Sequence, residues 1–65
     1  MTFYSYSIFD GHYNIIKNCV YKSEGISFIN NYHAMEISQN KINPEMYKIN
    51  YYSLVDSLGN VIYSV

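Results

Sequence analysis

Only one stretch of this chain spaces its apolar residues as a helix does, and the runs on either side of it alternate. Within residues 23–37, Ile26, Ile29 and His33 fall at i, i+3 and i+7, with Phe28, Tyr32 and Met35 in a second row beside them. The two rows make one broad apolar stripe centred on Ile29 and Tyr32 and leave Ser27, Asn30, Asn31 and Ala34 for water. Ser23 is placed to cap the first turn with its hydroxyl, and Glu24 suits the positive end of the helix dipole. Gly25 weakens that turn by roughly 1 kcal/mol relative to Ala, which points to a close approach between the helix start and a strand. Ser38, Gln39 and Asn40 continue a helix poorly, and Pro44 ends it, so residues 39–45 read as a polar crossing loop.

Residues 2–9 and 13–21 read as two strands. Asp10-Gly11 between them is a two-residue type I′ turn signal. That turn would pair Phe9 with His12, Ile8 with Tyr13 and Tyr6 with Ile15. One face then carries Tyr4, Tyr6, Ile8, Tyr13, Ile15, Cys19 and Tyr21, and Lys17 on this face must reach out to water. After the crossing loop, residues 46–55 and 61–65 read as a second hairpin. Its turn is Asp56-Ser57-Leu58-Gly59-Asn60, with Gly59 at the left-handed position of a three-residue loop. The expected fold is a single α+β domain over residues 1–65. Its order is ββαββ, an antiparallel four-stranded sheet with one helix packed on one face. No repeat, linker or low-complexity segment stands out.

Sixty-five residues bury only about 60% of the unfolded chain's surface, so such a domain is marginal on its own. The one cysteine, Cys19, rules out an internal disulfide and suits a reducing compartment. No charged-then-apolar leader and no apolar run of membrane-spanning length is present, which leads us to expect a soluble, cytoplasmic protein. Asn, Ile, Lys and Tyr make up 30 of the 65 residues. All four have A/T-rich codons, a bias associated with bacteriophages and other mobile elements. The nine Tyr also suit an interface, because Tyr offers amphipathic contact area at low entropic cost.

Residues able to do chemistry are sparse. Cys19 lies mid-strand, where cysteine behaves as a small hydrophobe, and no cation or helix start is placed to activate it. Asp10, His12, Cys19 and His33 lack metal-ligand spacing, and we expect no metal or cofactor. The five carboxylates are dispersed, and Gly11, Gly25 and Gly59 stand alone rather than in a phosphate loop. Tyr52, Phe3 and Phe9 could stack single-stranded bases with Lys17, Lys22 and Lys48 near phosphates. Against nucleic acid stand the net charge of −1 and the absence of arginine.

The expectation is therefore a non-catalytic protein-interaction module, such as an inhibitor or adaptor that docks on a larger host protein. The face turned away from the helix would hold Phe3, Phe9, Ile16, Val20, Tyr52, Leu54 and Ile62. That is more apolar surface than a monomer comfortably exposes. A homodimer burying this face is the parallel expectation.

Overall fold

A computed structural model describes residues 5–65. Strand β1 (Tyr6–Phe9), strand β2 (Ile15–Cys19), helix α1 (Lys22–Ile42), strand β3 (Ser53–Asp56) and strand β4 (Val61–Ser64) follow in that order. The four strands form one antiparallel sheet in the spatial order β2-β1-β3-β4, with the helix on one face. This is the small ββαββ domain that the alternation implied.

The first hairpin is not closed by a type I′ turn. β1 pairs with β2 as Tyr6↔Cys19, Ser7↔Asn18, Ile8↔Lys17 and Phe9↔Ile15. Each partner lies farther along β2 than Asp10-Gly11 would have placed it. The reason is the Asp10 side chain. Its Oδ1 accepts the amides of His12 (2.8 Å) and Asn14 (2.9 Å), holding a three-residue loop in place of two. The slip is an even number of residues, so Tyr6, Ile8 and Cys19 still share one face. A bulge between Ile8 and Phe9 then reverses the start of β2. Ile15 pairs with Phe9 on the open side, and Ile16 turns to the helix side.

The second hairpin uses the same loop. Asp56 Oδ1 accepts the amides of Leu58 (3.0 Å) and Asn60 (2.8 Å), and Gly59 holds φ 84°. Its bulge falls at the equivalent place, between Leu54 and Val55. Three of the first hairpin's four pairs have a counterpart: Ser7↔Asn18 matches Ser53↔Ser64, Ile8↔Lys17 matches Leu54↔Tyr63, and Phe9↔Ile15 matches Val55↔Val61. The sequences agree as well, Tyr6-Ser7-Ile8-Phe9-Asp10 against Tyr52-Ser53-Leu54-Val55-Asp56. The chain therefore contains a short repeat, where the sequence reading expected none. Its two hairpins meet antiparallel through β1 and β3, about a local two-fold at the Ile8↔Leu54 pair.

The core is Ile8, Cys19, Ile29, Tyr52 and Leu54. Helix α1 is longer than its apolar stripe and runs through residues 39–42, which the sequence read as loop. Its cap is Tyr21 without a side-chain bond, not Ser23. Gly25, Ile29 and Glu36 are its buried residues, whereas Tyr32 is partly exposed. Gly25 lies on Leu54: a Cβ there would fall 2.5 Å from Leu54 Cδ1, so the close approach inferred from sequence is real.

At 21 residues the helix is about 31 Å long, roughly twice the strands beneath it. The return segment is therefore not the long strand expected over residues 46–55. Only Ser53–Asp56 joins the sheet, and the residues before it run back along the helix. Asn40 Nδ2 donates to Tyr47 O (2.7 Å), and Glu36 receives Asn50 and Tyr52.

Candidate binding face

Strand alternation and the helix divide the side chains into two sets. Ile8, Lys17, Cys19, Tyr52, Leu54, Ile62 and Tyr63 lie on the helix side. Lys17 reaches the helix there, 4.0 Å from Glu24 and 5.4 Å from the Phe28 ring centre. Ser7, Phe9, Ile15, Asn18, Ser53, Val55, Val61 and Ser64 lie on the open side. None of these eight is charged. Ser7 Oγ donates to Asn18 Oδ1 at 2.9 Å, so part of the polar content is satisfied within the face. Ile15 is 55% and Val61 60% exposed, although both belong to strands. A groove of about 330 Å³ runs between Phe9, Asp10, Tyr13, Ser53, Val55, Gly59 and Val61, with Asp10 its one charged lining residue.

The seven residues expected on one interaction face do not share one. Phe9 is on the open face as expected. Leu54 is fully buried beneath Gly25, Tyr52 is buried with its hydroxyl on Glu36, and Ile62 packs against the core. Both sides of the second hairpin are apolar, so periodicity alone could not say which one meets the helix. The Ile8↔Leu54 pairing decides it. Ile16 is moved to the helix side by the bulge, Val20 lies beyond the end of β2, and Phe3 lies outside the described residues. Ile15, Val55 and Val61 replace them. The repeated Tyr-Ser-apolar-apolar-Asp segment was the signal that could have revealed this arrangement.

The helix side has its own groove of about 320 Å³, lined by His12, Ile16, Phe28, Tyr32, Asn50 and Tyr52 among others. Phe28 and Tyr32 pack at 4.6 Å between ring centres, with Tyr52 edge-on to Tyr32 at 6.4 Å. Behind them Glu36 Oε1 accepts Tyr52 Oη (2.5 Å) and Asn50 Nδ2 (3.0 Å), and Oε2 accepts the Asn50 amide (3.0 Å). Burial acts to raise the Glu36 pKa, but the bonds from Tyr52 and Asn50 and the nearby His33 outweigh it, leaving a net lowering. Burial and the same carboxylate push the Tyr52 phenol up to about 12. These groups satisfy one another and fasten the return segment.

Phe9 and Tyr52 are on opposite sides of the sheet, so they form no common stacking platform for bases. Cys19 is 1% exposed, and burial, followed by the charge of Glu24, raises its thiol pKa. Among the described residues no group of three His, Cys, Asp or Glu side chains could hold a metal ion. No described helix is long and apolar enough to cross a membrane. No protein family model, curated protein or solved structure matches the chain.

Proposed function

We propose that the protein is a non-catalytic binding module, an inhibitor or adaptor that docks on another protein through the open face of its sheet. The observation that carries this reading is a largely apolar sheet face presenting Ile15 and Val61 more than half exposed beside Phe9 and Val55. Large apolar side chains held out on strands are surface that a free protein does not need, and contiguous patches of this kind mark interaction sites. The groove's one charged lining residue is the acidic Asp10, and no Lys or Arg lines it to steer a phosphate backbone, which favours a protein partner over nucleic acid. A lone buried cysteine fits action in the reducing cytoplasm.

The test compares three variants as bait in lysate capture, each first checked for fold by circular dichroism. Ile15→Lys and Val61→Lys place a charge on the face, whereas Ile42→Lys changes an 84% exposed residue at the far end of the helix. Loss of captured protein with the first two and retention with the third supports the face. The reverse pattern overturns it.

A further inference from the structure

Tyr13 occupies a conformation that the equivalent position in the second hairpin gives to glycine. Gly59 holds φ 84° and Tyr13 holds φ 64°, in loops with the same hydrogen bonds. Bulky L-residues rarely adopt this region. The fold does not use the ring: Tyr13 is 88% exposed, and among the described residues it enters no aromatic pair and no side-chain hydrogen bond. A strained residue without an internal role points to an external one. The ring stands at the open-face groove, and Gly59 lines that same groove. A Cβ built on Gly59 meets nothing within 4 Å. One face thus carries a protruding ring and, at the matching site of the other hairpin, a hollow only in the sense of groove space that no side chain of its own fills.

We infer that the open face is closed by a second copy of this chain, with Tyr13 of each copy over the Gly59 hollow of the other. This rests on the open face being a docking surface and names its occupant. A two-fold interface requires that if one residue meets a second, the second meets the first, and a ring and a hollow on one face satisfy that requirement. The strand residues of the face are uncharged, and the Asp10 carboxylate at the groove is held by the His12 and Asn14 amides of its own loop. Area supplies the third argument. Four strands about 4.8 Å apart and roughly 16 Å long cover about 300 Å² per copy. One tyrosine adds about 150–250 Å². The pair then buries about 1,000 Å² in total, where specific interfaces begin, and falls well short without the ring.

Sedimentation velocity from micromolar to millimolar concentration tests this, with Tm measured in the dilute, monomeric range. The native chain should dimerise reversibly. Tyr13→Gly should raise Tm and weaken the dimer by roughly tenfold or more. Gly59→Asn, which tolerates the left-handed region and fills the hollow, should also weaken it. A Tyr13→Gly variant that gains stability and dimerises as before overturns the inference. So does a native chain that stays monomeric throughout, and that result is separate from the capture experiment, where the Ile15 and Val61 variants can still show a foreign partner on this face.

Discussion

Ile8 lies directly opposite Leu54 on the central strand pair, and both side chains are completely buried. They hold equivalent places in the two hairpins, so the repeat meets itself where the core is densest. Ile29 of the helix closes the same cluster. Ile29→Ala should cost about 2–5 kcal/mol, since it leaves a cavity in a site fully shielded from water. Urea denaturation followed by circular dichroism checks this, and an unchanged midpoint would take Ile29 out of the core.

Gly25 and Leu54 are coupled by contact. Gly25→Ala gains about 1 kcal/mol of helix propensity. Its Cβ must also displace the fully buried Leu54 side chain, an overpacking cost of typically 1–3 kcal/mol. The net effect should be destabilising. Leu54→Val should relieve part of it, so the double variant is more stable than the two single effects added together. A Gly25→Ala protein more stable than the native one would place the helix farther from the sheet.

The sequence disclosed the element order and the Gly59 turn, because each depends on local chemistry, and it flagged the crowding at Gly25 because a glycine in a helix's first turn is otherwise costly. It did not disclose the first hairpin's register, since Asp10-Gly11 suits two turn types and only the Asp10 carboxylate's bonds to His12 and Asn14 choose between them. The side of β3 facing the helix was hidden for another reason. Tyr52 and Leu54 on one side are matched by Tyr51 and Val55 on the other, and pairing with β1, a long-range event, breaks the tie. The end of the helix was obscured by Ser38 and Asn40, weaker helix formers whose segment is held by tertiary bonds such as Asn40 to Tyr47.

Glu36 should make stability depend on acid. Its folded pKa is lowered from 4.5, so its contribution is complete above that value and is lost as pH falls through the folded one. Asp10 and Asp56 are also lowered, chiefly by the Asn14 and Asn60 amides respectively, and act in the same direction. Glu36→Gln should therefore flatten the acid limb only in part. It should also cost about 1–3 kcal/mol at neutral pH, because an amide donor replaces an acceptor facing Asn50 or Tyr52. Tyr52 supplies the alkaline counterpart. Its folded pKa is raised from 10.0 to about 12, so the contribution present below 10 is lost as pH rises through that interval. Tyr52→Phe should remove this alkaline loss, and thermal melts across the two pH ranges would show both limbs.

Cys19 should react slowly. It is 1% exposed and its thiol pKa is raised, so little thiolate is present at neutral pH and less is reachable. Alkylation followed by mass spectrometry should show protection in the folded protein and rapid modification in urea. Equal rates in the two conditions would contradict the packing of β2 against the helix.

The two aspartate turns offer the sharpest test of the repeat. Asp10 and Asp56 make the same backbone bonds, so Asp10→Ala and Asp56→Ala remove the same contacts. The loops they hold are not equally willing. Gly59 enters the left-handed region freely, whereas Tyr13 must be kept there. Asp10→Ala should therefore lower Tm more than Asp56→Ala does. Adding Tyr13→Gly to Asp10→Ala should remove most of that excess and bring the first turn level with the second. Equal losses in the two single variants would mean that Tyr13 adopts its conformation without help from the Asp10 carboxylate.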